Sequence, residues 1–240
     1  MNKLRMDQVL VQRKLVATRS QAESYIKLGQ VLVEGKVVTK PGFLVNEQAN
    51  ITMSTAQQYV SRAALKLASV TKALKLDFTD KIVLDVGSST GGFTDYALRH
   101  GARKVIAVEV GTDQLHPSLR GNSQIELHEK TDIREFQTTE QIDIVVADVS
   151  FISLREILPS IAKLSSMTTL IVVMVKPQFE AGQSNLKHKG IIKNDKMRRD
   201  ILKDFELWTQ AQFRIIDKAD SEVSGAKGNK ERFYLLRKVD

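Results

Sequence analysis

Cysteine is absent from the 240 residues, which excludes a disulfide framework and any thiolate metal site. Long apolar runs are missing too. The longest covers residues 170–175, far below the roughly 20 residues that a membrane-spanning helix needs, so it reads as a buried strand. Met1-Asn2-Lys3-Leu4-Arg5 is not followed by an apolar leader segment. These absences lead us to expect a soluble, cytoplasmic chain with no membrane contact and no metal. Aromatics are scarce at the start: residues 1–56 hold only Tyr25 and Phe43, few platforms for stacking the bases of a single strand.

Acidic residues are outnumbered. The chain has 36 Lys and Arg against 28 Asp and Glu, a formal net charge of +8. Such an excess favours polyanionic partners through counterion release. It is concentrated at the start, where the first sixty residues carry eight bases and four acids, half of the net charge.

The same segment patterns as helix, helix, hairpin. Leu4, Val9, Leu10 and Leu15 supply an apolar side for a first helix. Ser20 and Glu23 have capping-box spacing for a second, and Gly29 is placed to stop it. Val31-Leu32-Val33 and Lys36-Val37-Val38 flank Glu34-Gly35, a hairpin signal, and residues 51–53 could close the sheet. The bases Arg5, Arg13, Lys14, Arg19, Lys27 and Lys36, with Arg62 just beyond, suit phosphate contacts to structured RNA. Residues 54–58 read as a linker. We therefore divide the chain into an RNA-binding module, 1–56, whose removal should leave the rest folded, and a larger domain, 57–240.

Beyond residue 80, apolar strands at 82–86, 105–110, 142–146, 170–175, 213–216 and 233–236 alternate with helical patterns near 93–99, 154–164 and 196–211. That alternation predicts an α/β fold with a mostly parallel sheet covered on both faces.

The segment Asp85-Val86-Gly87-Ser88-Ser89-Thr90-Gly91-Gly92-Phe93-Thr94 follows the first of these strands and opens a helix. In such a sheet this is the expected ligand crevice, with helix-start N–H groups available to an anion. A phosphate-binding Walker loop needs Gly-Lys-Ser/Thr, which is absent, and Gly87 and Gly91 lack dinucleotide spacing. S-adenosylmethionine, with a carboxylate and an ammonium, fits better. Asp85 would meet the ammonium. Gly87, Ser88, Thr90, Gly91, Gly92 and Phe93 would line the carboxylate cradle. Glu109-Val110 would hold the ribose, and Asp132-Ile133 the adenine.

Several runs resemble the TlyA family, also called hemolysin A. They are Tyr59-Val60-Ser61-Arg62-Ala63-Ala64-Leu65-Lys66-Leu67, the glycine turn, Ala147-Asp148-Val149-Ser150-Phe151-Ile152, Val175-Lys176-Pro177-Gln178-Phe179-Glu180-Ala181-Gly182 and Lys227-Gly228-Asn229-Lys230-Glu231. The resemblance implies an alpha-L (S-four-type) RNA-binding domain of α+β build, followed by an FtsJ-like, Rossmann-like methyltransferase domain with a mostly parallel seven-stranded sheet. It implies transfer of a methyl group from S-adenosyl-L-methionine to a ribose 2′-hydroxyl of ribosomal RNA cytidine. The family's Lys-Asp-Lys-Glu tetrad falls on Lys66, Asp148, Lys176 and Glu231. Lys176 would then be the base that orients the hydroxyl, and Asp148 would hold its amine and sit near the methyl donor. Lys66 would assist Lys176 or hold the target phosphate, and Glu231 would tether Lys66 or the ribose. Taken singly, each also has an ordinary structural reading: Asp148 as a helix cap, Lys66 as a solvated position on an Ala/Leu-rich helix, and Lys176 and Glu231 as strand-end residues. The sequence departs from the family where Ala63-Ala64 replace two glycines and where Ser224-Gly225 replace a longer Ser-Pro motif.

Members of the family act on the large ribosomal subunit, and the longer ones tend to act on both. This chain runs to Asp240 directly after its last strand, which points to the large subunit. The basic stretch Lys187, Lys189, Lys193, Lys196, Arg198, Arg199 and Lys203 is expected to border the substrate channel. Two other readings compete: a pore-forming cytolysin, which the older name suggests, and an RNA-binding protein that keeps the fold without the activity.

Overall fold

The computed structural model describes residues 3–16, 18–54, 59–181, 192, 194–225 and 228–239. Lys187, Lys189, Lys193, Lys227, Gly182 and the division at residues 56 and 57 lie outside them.

The amino-terminal module contains β1 (Lys3–Arg5), α1 (Met6–Gln12), α2 (Arg19–Lys27), β2 (Val31–Val33), β3 (Lys36–Val37), β4 (Leu44–Asn46) and β5 (Ile51–Met53). β1 pairs with β4, and β2 lies between β3 and β5. The hairpin turns on Glu34 and Gly35, both with positive φ (48° and 75°), the backbone that a two-residue turn of this hand requires. Gly29 (φ 68°) ends α2, and Gln30 N donates to Tyr25 O at 3.0 Å. The start of α2 differs from the sequence expectation. Its cap is Thr18, whose hydroxyl accepts from Gln21 N, and the helix already includes Ser20 and Glu23. The short strands β1 and β4 were not expected either. Three residues are too few to display an alternation.

The larger domain is a seven-stranded sheet. Its strands are β6 (Ile82–Val86), β7 (Lys104–Val108), β8 (Ile125–His128), β9 (Ile144–Ala147), β10 (Leu170–Val175), β11 (Phe213–Asp220) and β12 (Arg232–Lys238). They lie in the order β11-β12-β10-β9-β6-β7-β8. Only β12 runs against its neighbours, pairing antiparallel with both β10 and β11. The helices are α3 (Arg62–Thr71), α4 (Gly92–Arg99), α5 (Leu154–Leu164), the short α6 (Pro177–Glu180) and α7 (Asp195–Thr209).

Side chains alternate between the two faces of the sheet, as strand geometry demands. Val83, Val105, Val146, Val172 and Leu235 pack in one core with residues of α3, α4 and the amino-terminal module. Leu84, Ile106, Val145, Val173 and Leu236 pack in another with α5 and α7. The parallel strands place the carboxyl ends of β6, β7, β9 and β10 along one rim. Because β12 is reversed, its beginning reaches that same rim.

Candidate active site

The rim carries the expected residues. Asp85 lies in β6, Glu109 and Asp148 directly follow β7 and β9, Lys176 follows β10, and Glu231 directly precedes β12. Two adjoining cavities share Gly87, Ser89, Asp148 and Ser150. The larger, about 440 Å³, is bordered by Glu109, Val110, Asp132, Ile133 and Phe151. The smaller, about 140 Å³, is bordered by Ala63, Asp85, Ser88, Thr90, Gly92 and Lys176.

The glycine turn is held by Gly87 N, which donates to Val108 O at 2.9 Å, and by Gly91 N, which donates to Ser88 O at 2.7 Å. Gly87 (φ 78°) leaves no room for a side chain, since a Cβ there would lie 3.0 Å from Asp148 O. Gly91 (φ 85°) caps α4 with no side-chain acceptor, so the helix start faces the cavity with backbone alone. Phe93 borders the smaller cavity, although its ring is buried near Phe233, with centroids 6.1 Å apart.

Asp85 is buried. Its Oδ2 accepts from Thr94 Oγ1 at 2.6 Å, while its Oδ1 and the Ser88 hydroxyl have no hydrogen-bond partner among the described residues. Burial pushes the Asp85 carboxyl up to about 7; the Thr94 hydrogen bond opposes this, and the nearby Asp148 and Glu109 carboxylates add to it. A buried acid with an unpartnered oxygen at the edge of a cavity has the capacity to accept from a cationic donor. Glu109 accepts from Ser89 N at 2.9 Å and from Gly111 N at 2.7 Å, one on each oxygen. Each oxygen keeps a second lone pair for a hydroxyl donor. Asp132 is engaged by Arg134, whose Nη2 donates to Oδ2 at 2.6 Å.

The four tetrad residues form two ion pairs. Lys176 Nζ lies 2.6 Å from Asp148 Oδ1, off the direction of an aligned hydrogen bond, and donates to Ser150 Oγ at 2.7 Å. Lys66 Nζ lies 2.6 Å from Glu231 Oε2, again as a charge contact rather than an aligned bond. Lys176 and Asp148 border the smaller cavity, whereas Lys66 and Glu231 border neither. A Cβ on Gly225 would run into the Glu231 carboxylate. Ala64 is fully buried, and Ala63 faces the space where a Cβ on Gly92 would lie.

Two residues at the rim were not singled out by sequence. Ser150 receives the Lys176 amine. Phe151 is 92% exposed, adopts φ 67° and has its ring 5.3 Å from that of Phe179. A left-handed aromatic held in solvent beside a site is a strained arrangement that folding alone does not favour. Its position between a strand end and the cap of α5 was the available signal.

The bases of the amino-terminal module divide. Lys14, Lys27 and Lys36 are exposed, and Arg62 is half-buried at the start of α3. Arg5 and Arg19 converge on Asp7. Arg13 departs from a free phosphate ligand, because its guanidinium donates to Ala49 O at 2.7 Å and also to Glu47 O, stapling the β4–β5 turn. On α7, Lys196, Arg199 and Lys203 are exposed, while Arg198 is bound to Asp220 and Lys230 O. No helix among the described residues is long and apolar enough to cross a membrane.

Comparison with known proteins places this architecture. Residues 59–238 match the FtsJ-like methyltransferase family, and residues 4–51 match the S4 domain. The chain is 35% identical to a 16S/23S rRNA (cytidine-2′-O)-methyltransferase TlyA of Mycobacterium tuberculosis, covering 97% of this chain and 89% of that one. It is 35% identical to a 23S rRNA (cytidine-2′-O)-methyltransferase TlyA of Campylobacter jejuni, covering 95% and 97%. A solved structure from Streptococcus thermophilus, 33% identical, superimposes with a TM-score of 0.73 over 100% of this chain and 90% of that one. The chain belongs to the TlyA family of FtsJ-like methyltransferases that carry an amino-terminal S4 domain.

Proposed function

We propose that the protein is an S-adenosylmethionine-dependent ribose 2′-O-methyltransferase acting on a cytidine of ribosomal RNA, in the large subunit, with which the names of both relatives agree. The observation that carries the reading is the Lys176, Asp148 and Ser150 group at a cavity that Asp85 also lines, with its Oδ1 buried and without a hydrogen-bond partner among the described residues.

The residues fit the cofactor. Asp85 would receive the ammonium. The backbone from Gly87 through Phe93, with Ser88 and Thr90, would receive the carboxylate. Glu109 would accept both ribose hydroxyls, and Val110, Asp132 and Ile133 would enclose the adenine in the larger cleft. Bound there, S-adenosylmethionine supplies an electrophilic methyl group. The work of the chain is then to bring a ribose oxygen into line and manage its proton. Lys176 Nζ takes or holds the 2′-hydroxyl proton, Asp148 fixes the direction of that amine, and Ser150 shares its hydrogen bond. Positioning of this kind supplies a large part of the rate in a displacement. Lys66 and Glu231, away from the cavities, hold α3 against β12 and set the entrance for the substrate.

Residues 1–56 are the RNA-binding module and 57–240 the catalytic domain, working in the cytoplasm on the ribosomal subunit or its RNA. The test is Lys176→Ala with purified large subunits and tritiated cofactor. Methyl transfer should fall by at least about 10²-fold, while calorimetric affinity for S-adenosylmethionine changes little. Full transfer by the variant would refute the role.

A further inference from the structure

Asp7 in the first turn of α1 is fully buried, an expensive place for a carboxylate unless it is paired. It is paired twice. Oδ1 accepts from Arg5 Nε at 3.0 Å, and Oδ2 accepts from Arg5 Nη2 at 3.0 Å and from Arg19 Nε at 2.8 Å. Burial works against the charge, and the two guanidiniums overcome it, holding Asp7 below the usual carboxylate range. The two arginines are themselves half-exposed, at 43% and 52% of their side chains. Each is thus gripped on its inner edge. Among the described residues no protein oxygen accepts from Arg5 Nη1 or from either Nη of Arg19. Gly42 stands beside Arg5 Nη1, and even a methyl group there would lie 3.2 Å from it.

A carboxylate can do two things for a basic surface. It can cancel charge, or it can fix the direction of the guanidiniums around it. Here one buried anion orients two partly exposed cations: Arg5 Nη2 and Arg19 Nε share its Oδ2, and Glu23 Oε1 lies 3.8 Å from the same Arg19 nitrogen. Two planar forks held side by side match the oxygens of one phosphodiester, and the rotamer entropy of both arginines is spent before RNA arrives.

We propose that Asp7 is a positioning residue for RNA binding: it locks Arg5 and Arg19 into a preformed clamp for a backbone phosphate of structured RNA. This deepens the reading of the amino-terminal module as an RNA binder and rests on it.

The test separates orientation from charge. Asp7→Asn adds one unit of positive charge, so charge alone predicts equal or tighter binding. The clamp predicts binding about tenfold weaker, with a shallower dependence on salt as one phosphate contact is lost. Filter binding of the full chain to purified large-subunit RNA, at two salt concentrations, reads both. Tm and calorimetric affinity for S-adenosylmethionine serve as controls of folding. Should Asp7→Asn fail to fold, Arg19→Lys decides: it keeps the charge and loses the fork, and the clamp again predicts about tenfold weaker binding. RNA affinity that is unchanged or higher in a folded variant overturns the clamp alone. Wild-type protein that binds no structured RNA overturns the clamp and the RNA-binding reading together.

Discussion

Burial of the Asp85 carboxyl, with its ionisation shifted up to about 7, links cofactor binding to pH. Because the folded chain keeps this proton more tightly than the unfolded chain, the stability it contributes is present at acid pH and lost as pH rises through about 7. Asp85→Asn should therefore melt roughly 5 °C above wild type at pH 8 and close to it at pH 5, as scanning fluorimetry would show. An ammonium ligand favours the ionised form, so wild-type affinity for S-adenosylmethionine should rise from pH 6 to pH 7.5. In calorimetry the Asn variant should bind weakly at every pH; a wild-type profile in the variant would contradict the assignment. Phe151 gives a second prediction. Its exposed ring, 5.3 Å from Phe179, whose own ring lies 5.9 Å from Lys176 Nζ, offers a stacking face for the target base, so Phe151→Ala should raise the KM for RNA about tenfold and leave cofactor affinity unchanged. The acids at strand ends were legible in the sequence because strand periodicity locates strand ends. Which charged side chains would be engaged was not legible: Arg13 on two carbonyls, Arg19 on Asp7 and Lys66 on Glu231 join residues far apart in sequence.

At the scale of elements, the glycine turn and the start of α3 are fitted to each other. A Cβ on Gly92 would strike the Ser61 hydroxyl and lie 2.8 Å from Ala63 Cβ. Gly92→Ala should destabilise the fold by about 1–3 kcal/mol through overpacking, despite the better helix propensity of alanine, and should weaken the cofactor site. Denaturant unfolding would measure it, and a neutral result would show that α3 can yield. Ala63 and Ala64 serve packing: Ala64 points into the core and Ala63 covers Gly92. Central strands such as β10 announced themselves as apolar runs. β8, at the sheet edge with Leu127 exposed and Ile125 and Glu126 half-buried, had too mixed a pattern to stand out.

The whole molecule is more continuous than the sequence suggested. Tyr25 of α2 accepts from Tyr59 N at 3.0 Å, and Met6, Leu10, Tyr25 and Ile26 belong to the same apolar core as Leu65, Leu67 and Val83. The linker composition of residues 54–58 gave no sign of that shared core, which depends on which faces of α2 and α3 meet. Removal of residues 1–56 should therefore weaken RNA binding and also lower the Tm of the remaining domain by about 5 °C or more. An unchanged Tm would show two independent folding units. The measurement that bears most directly on the central claim is mass mapping of ribose methylation in ribosomal RNA treated with this protein and S-adenosylmethionine. The account predicts a new 2′-O-methylcytidine in large-subunit RNA, absent when Lys176→Ala replaces the wild type. A methyl group on a base, or no new methylation by a folded protein that binds the cofactor, would contradict it.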